Sequence, residues 1–292
     1  MTRVPFEKYV SIGNDFVLVE ARDVQDVDLP LFAQAVCDRH FGVGSDGLLV
    51  VERSEVQVGM RMFNPDGTED FCGNGLRITA LHALRNGWFD GSVPIQHKGK
   101  DVLVTPTKAG WLDVQLPRPN FDCKEVPARV EGEIWEKELV VADERLVVSS
   151  VCTGTTHTVI FLDALVSEKR FQKVSPLLER HEWYPERTSV IWAWQTDDKQ
   201  LTIRIWERGV GETLGCGTGS AAVAACWFRK HPGHLSLHVK NPGGDAIVAV
   251  GPSGSLVVSA LASHLFRGVT CEELAGRYLR ENRSAGCSPV KS

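Results

Sequence analysis

The sequence predicts an α+β protein made of two copies of one unit, and three observations carry that expectation. Strand-like alternation and short helical stretches interleave along the whole chain. One turn occurs twice, as Cys72-Gly73-Asn74-Gly75 and as Cys216-Gly217-Thr218-Gly219, each with a glycine (Gly67, Gly211) five residues before the cysteine. The cysteines lie 144 residues apart in a chain of 292, half of which is 146. At about 150 residues per domain, the length independently suggests two domains.

The first copy opens strand-like, and Val17–Glu20 follows the turn-forming Gly13-Asn14-Asp15. Leu29–His40 places Leu31, Phe32, Ala35 and Val36 at the spacing of an amphipathic helix. A glycine-rich turn, Gly42–Gly47, leads into the strand Leu48–Val51, and Gly59–Asn64 alternates as a half-buried strand does. Asn64-Pro65-Asp66-Gly67 is a turn by composition. The cysteine turn then starts a helix, Leu76–Leu84, ending near Asn86-Gly87. Val93–Leu116 reads as two strands around Lys108-Ala109-Gly110. Two prolines in Pro117-Arg118-Pro119-Asn120 cannot continue a regular element, so the boundary is expected there.

The second copy repeats the theme. Strands are expected at Leu139–Val141, Arg145–Ser149 and Thr158–Leu162, then a polar helix at Glu168–Arg180. Ser189–Trp194 and Leu201–Trp206 alternate as strands, and the second cysteine turn starts a helix at Ser220–Phe228. Past His231-Pro232-Gly233, strands are expected at Leu235–Val239, Ala246–Val250 and Leu256–Leu261. The halves are thus 1–117 and 118–264, with 265–292 read as returning to the first domain before a disordered tail beyond about Glu281.

Composition bounds the function. The chain is 43% hydrophobic and 24% charged, enough apolar side chain for a sizeable core in each half. A formal charge of −5 removes the electrostatic reason to expect a nucleic acid or an anionic membrane as partner. No apolar run reaches the roughly 18 residues of a membrane span, and Met1–Tyr9 is no secretory signal, so the expected compartment is the cytoplasm. There the eight cysteines are expected as thiols, with Cys287 a free thiol in the tail. No CxxC pair occurs, and the lone Cys37-Asp38-Arg39-His40 gives zinc little support, so no metal is expected. Gly42-Val43-Gly44 and Gly209-Val210-Gly211 invite a nucleotide-binding reading, but neither sits in the full glycine fingerprint.

The physics of the repeated turn points to chemistry. The first turn of a helix presents unpaired N–H groups and partial positive charge, so it holds a carboxylate and favours a thiolate. One thiolate can remove a proton from a stereocentre while a second thiol returns one from the opposite face, inverting the configuration. The charge developing on the carbon is then stabilised by the helix N–H groups and by exclusion of water. A single such turn reads as a tight bend before a core helix, its cysteine a small buried apolar side chain. Duplication at half-length favours the chemical reading.

At this point the sequence resembles the diaminopimelate epimerase family. The resemblance runs from Gly13-Asn14-Asp15-Phe16 to Cys216–Gly219, through Gly42–Gly47, Phe63–Gly67, Cys72–Arg77 and Trp206–Thr213. It implies two pseudo-symmetric domains, each a mixed β-sheet wrapped around a central helix, with the active site in the cleft between them. It implies an isomerase converting LL- to meso-diaminopimelate in lysine and peptidoglycan-precursor synthesis, without cofactor, with a small amino acid as its partner and a homodimer as the family expectation. Cys72 and Cys216 match the catalytic pair, with His157 and Glu207 beside the reacting centre. Gly73, Asn74, Gly217 and Thr218 match positions whose N–H groups hold the reacting carboxylate. Asn14, Asn64 and Arg208 match substrate-binding positions, while Asp46 and Arg77 match structural supports. Two positions depart from the family, Thr155 and Ser189, where asparagines bind the distal end of diaminopimelate. They open the alternative of a racemase of another amino acid, with Trp192 and Trp194 either lining the altered pocket or packing the core. A non-catalytic small-molecule-binding relative, and a regulatory disulfide between Cys72 and Cys216, also stay open.

Overall fold

The structure is a computed structural model in which residues 3–107, 109–271 and 274 are described. In chain order its elements begin β1 (Pro5–Ser11), β2 (Asn14–Glu20), α1 (Leu29–Cys37), β3 (Gly47–Arg53), β4 (Val58–Phe63), α2 (Gly73–Arg85), β5 (Val93–His97) and β6 (Lys100–Pro106). There follow β7 (Leu112–Leu116), β8 (Lys137–Val141), β9 (Glu144–Cys152), β10 (Thr156–Leu162), α3 (Glu168–Glu179), β11 (Ser189–Asp197) and β12 (Gln200–Glu207). The last are β13 (Gly211–Thr213), α4 (Gly217–Lys230), β14 (Ser236–Asn241), β15 (Gly244–Val250), β16 (Leu256–Ala260) and β17 (Ala262–Val269).

Two compact units result: Met1–Ser11 and Asp15–Thr105 with the chain from Ala262, and Ile12–Asn14 with Pro106–Leu261. In the first unit β17 runs antiparallel to β1, and β1 pairs with β2. Parallel β2/β3 and β4/β5 pairs alternate with antiparallel β3/β4 and β5/β6. Parallel neighbours need a crossover, and α1 and α2 are those crossovers. The second unit repeats the order: β9 antiparallel to β10, β10 parallel to β11, β11 antiparallel to β12, β12 parallel to β14, β14 antiparallel to β15. Its crossovers are α3 and α4, and it adds β8 beside β9, β16 beside β15 and β7 beside β16.

Burial follows the residue pattern. In the first unit Phe32 and Val36 of α1 pack with Val17, Val19, Leu48 and Val50. In the second, Phe171, Val174 and Leu178 of α3 cover Ile160, Val190 and Trp192, so Trp192 is core; its Nε1 donates to Ser175 Oγ at 2.9 Å. The other two helices are central. Every residue of α4 from Gly217 to Trp227 is buried, as are Asn74 to Ala80 of α2, which fits helices built largely from small and apolar residues. Tight hairpins use paired left-handed residues: Ile12 and Gly13 at φ 51 and 75, Lys98 and Gly99 at 49 and 72, Ala142 and Asp143 at 54 and 65.

The structure corrects several expectations. Val93–Leu116 holds three strands, because the chain reverses at Lys98-Gly99 as well as near Gly110. The third of them, β7, pairs with β16, so the division falls at Thr105/Pro106 instead of after 117. The first helix ends at Cys37, short of His40, because Asp38 turns extended and its carboxylate takes the N–H groups of His40 and Phe41 at 2.8 and 2.7 Å. The chain from Ala262, three residues before the expected 265, forms β17 and pairs with β1 of the first unit. The expected tail beyond Glu281, with Cys287, lies outside the described residues. No helix among the described residues is long and apolar enough to cross a membrane.

Candidate active site

Both repeated cysteines are N-caps. Cys72 precedes α2 with φ −138 and ψ 110, and Cys216 precedes α4 with φ −140 and ψ 118. Each sulfur accepts an N–H from the first turn, Gly75 N at 3.2 Å and Gly219 N at 3.4 Å. The short polar side chain therefore does what serine or aspartate does at an ordinary cap, and it places the sulfur at the positive helix end. Gly75 and Gly219 let the sheet approach: an added Cβ would come within 2.9 Å of Leu49 Cδ2 and 3.0 Å of Ile191 Cδ1.

In the first unit Cys72 is half-buried, and the fully buried His97 accepts its N–H at 3.1 Å through Nε2. Phe71 stacks on His97 at 4.9 Å between ring centres. Asn74 is braced by the buried Arg77 guanidinium, 3.3 Å from its Oδ1 and 3.5 Å from Gly73 O. Asn64, at the end of β4, donates to Thr68 Oγ1 at 3.0 Å. Asp46 is tied to Arg39 at 2.7 Å and to Asp15 N at 3.0 Å, fixing the Gly42–Gly47 loop.

The second unit gathers more of the candidate residues. Cys216 is buried, with Thr218 Oγ1 3.3 Å from its sulfur. Burial pushes the Cys216 thiol well above its ordinary range, and the adjacent Glu207 carboxylate pushes further the same way. Cys216 is thus a protonated thiol at neutral pH. Glu207 also accepts from Thr213 Oγ1 at 2.6 Å. Thr155 Oγ1 lies 2.9 Å from His157 Nε2 and donates to Thr218 Oγ1 at 3.2 Å, so the chain His157–Thr155–Thr218–Cys216 is continuous. Burial, with the Arg208 guanidinium adding to it, pushes His157 down to about 3, so the imidazole is neutral. Its Nδ1 is buried with no hydrogen-bond partner among the described residues.

The two departing positions are occupied internally. His157 and Ser189 face each other across β10 and β11, and Ser189 Oγ accepts Arg208 N–H at 3.1 Å. Thr155 and Ser189 therefore spend hydroxyl contacts on His157, Thr218 and the Arg208 backbone. Asn14, at the start of β2, falls with the second unit.

Sequence reasoning missed His97 and Asn241. Asn241 Oδ1 lies 3.4 Å from Cys216 N, as His97 Nε2 lies 3.1 Å from Cys72 N, and both acceptors sit 25 residues after their cysteine. That equal offset, read within the repeat, is the signal that could have found them. Among the described residues no group of three or more His, Cys, Asp or Glu is gathered so as to hold a metal ion.

A diaminopimelate epimerase of Alkaliphilus metalliredigens is 31% identical over 285 residues, covering 93% of this chain and 99% of its own. Among solved structures, a phenazine biosynthesis protein of the PhzF family from Bacillus anthracis superposes with TM-score 0.67 at 18% identity, covering 93% of this chain and 100% of its own. A probable proline racemase from Agrobacterium radiobacter K84 also reaches TM-score 0.67, at 9% identity, covering 92% of this chain and 93% of its own. Fold, duplicated cysteine caps and relatives together define an amino-acid epimerase of the class that needs no pyridoxal phosphate. The chain belongs to the diaminopimelate epimerase family, whose model matches residues 6–118 and 149–262.

Proposed function

We propose that this protein interconverts LL- and meso-diaminopimelate, inverting one α-carbon by proton transfer between Cys72 and Cys216. The observation that carries the reading is the pair of cysteine caps, nearly alike in backbone, each with its sulfur at the N-terminus of a central helix and with Cys216 held as a thiol. Cys72 as thiolate takes the α-proton, the electron pair moves onto the α-carboxylate, and the Cys216 S–H delivers a proton to the opposite face. The N–H groups of Gly73, Asn74, Gly217 and Thr218 hold that carboxylate, and their fixed dipoles stabilise the charge as it forms. Glu207 neighbours the Cys216 thiol, and neutral His157 is linked to it through Thr155 and Thr218. Asn14, Asn64 and Arg208 bind the rest of the substrate, Arg208 gripping a carboxylate through two of its guanidinium nitrogens. The protein works in the cytoplasm as a homodimer and needs neither cofactor nor metal.

A second reading rests on one observation. Thr155 and Ser189 make internal hydrogen bonds where the family uses asparagine amides, so the pocket for the distal amino-acid end is changed. On this reading the same machinery racemises a different amino acid. Incubation in deuterated water with a panel of amino acids decides between them. Fastest α-deuteration of diaminopimelate supports the first reading, and faster labelling of another amino acid overturns it. Cys72→Ala and Cys216→Ala are each expected to lower the rate about 10²- to 10⁴-fold, the usual worth of a positioned acid or base. Unchanged function in both variants would instead favour a non-catalytic binding relative.

A further inference from the structure

The N–H of a capping residue is easily left over: it precedes the helix, and in a buried turn it needs an acceptor of its own. In the first unit that acceptor is His97. Its Nδ1 lies 3.0 Å from Met60 O, and a carbonyl can only accept, so Nδ1 carries the hydrogen and Nε2 offers its lone pair to Cys72 N–H. Burial holds the His97 imidazole below its ordinary range, which keeps this neutral form. Phe71, the residue just before the cysteine, stacks on the face of the ring.

In the second unit the acceptor is Asn241, a different group placed the same way. Its Oδ1 faces Cys216 N at 3.4 Å, while its Nδ2 donates to Val239 O at 3.2 Å and to Ser220 Oγ at 3.1 Å. Ser220 Oγ in turn donates to Cys216 O at 3.0 Å, so the cysteine is held at both ends of its own backbone unit. His97 ends β5 and Asn241 ends β14, the strands that follow the two central helices. Two chemically unlike acceptors thus produce nearly identical cap angles.

We propose that His97 and Asn241 are positioning residues for the two cysteines, each accepting the N–H of its own cysteine and so fixing where that sulfur stands. Neither touches the reacting atoms; each acts through the backbone that carries the thiol. The inference rests on the reading of Cys72 and Cys216 as the proton-transfer pair. A displacement of about 1 Å at a reacting group can lower a rate by about 10²-fold, so loss of a holder is read in kcat more than in KM.

The test uses His97→Phe, which keeps the ring and its stacking but removes the acceptor, and His97→Gln, whose amide oxygen stands near the place of Nε2. Asn241→Leu is the matching change in the other unit. His97→Phe is expected to lower kcat about 10- to 100-fold with KM changed less than about threefold, and His97→Gln to recover most of the loss. The isotope effect of α-deuterated substrate should rise in His97→Phe for the direction in which Cys72 removes the proton. In Asn241→Leu it should rise in the opposite direction. Equal losses in His97→Phe and His97→Gln, or isotope effects that rise equally in both directions, overturn the proposal. A substrate-free arm separates this from failure of the functional reading. The iodoacetamide reaction rate of Cys72, followed by peptide mass spectrometry, should change in His97→Phe by more than about threefold, and that of Cys216 should not. If the unaltered protein deuterates no amino acid, the functional reading fails, and an unchanged Cys72 rate in His97→Phe still sinks the positioning role.

Discussion

Cys72 and Cys216 start their helices with nearly the same backbone angles, yet the residue before each cysteine and its exposure differ. The residue before Cys72 is Phe71, stacked on His97; the residue before Cys216 is Gly215, where an added Cβ would lie 2.2 Å from Ile12 O. Cys72 is half-buried, whereas Cys216 is buried beside a carboxylate. The backbone of the cap is what the two copies share, because that is what aims a sulfur and a set of N–H groups. Solvent access differs around it, so one repeated cap presents one sulfur half-buried and the other covered.

The largest expected effect that probes this contrast is chemical. At mildly alkaline pH, iodoacetamide should modify Cys72 at least about 10-fold faster than Cys216, since the thiolate is the reactive form and Cys216 is kept protonated and covered. Peptide mapping reads both sites in one sample, and equal rates would remove the asymmetry. Next comes packing. Gly215→Ala should destabilise the fold by about 1–3 kcal/mol, because the new methyl meets a backbone carbonyl that cannot rotate away. Gly73→Ala, with nothing within 4 Å of the added carbon, should change stability by less than about 1 kcal/mol in the same urea titration. If both cost alike, the close approach at Gly215 is not what distinguishes the second cap.

The smallest effect is a pH slope. His157 has its folded value depressed to about 3, so the folded state binds fewer protons than the unfolded chain below the ordinary histidine value of 6.5. Stability is therefore fully present above that value and falls as pH drops toward about 3, by up to about 1.4 kcal/mol per pH unit for this one proton. His97 and His82 are shifted the same way and add to the slope. His157→Gln should flatten the dependence between about pH 6 and about pH 4 by roughly one proton, and an unchanged slope would place the titration elsewhere.

Much of this was readable from residue order alone, for a physical reason. The cysteine turns, their helices and the alternating strands are local patterns, set by spacing within a dozen residues. The elements that escaped depend on distant partners. Ala262–Val269 lacks clean alternation because most of its side chains are exposed, and only its pairing with β1 makes it a strand. Leu112–Leu116 looks continuous with the strands before it, but its partner, Leu256–Ala260, lies 140 to 148 residues further along the chain. At the site, the types of Thr155 and Ser189 are visible in the sequence, while the partners of their hydroxyls are not. His97 and Asn241 carry no motif of their own; only the repeat assigns them a common place.

The pairing of β17 with β1 bears on the order in which the protein can be completed during synthesis. Val4 and Thr270 exchange hydrogen bonds at 2.9 Å, Val4 N with Thr270 Oγ1 and Thr270 N with Val4 O, across 266 residues of chain. Until β17 leaves the ribosome, β1 has one edge uncovered, and it carries the apolar Phe6. The second unit, by contrast, has all its strands by Leu261. A nascent chain can therefore finish the later copy first and close the earlier one last, and its exposure to wrong partners is concentrated at the N-terminal strand.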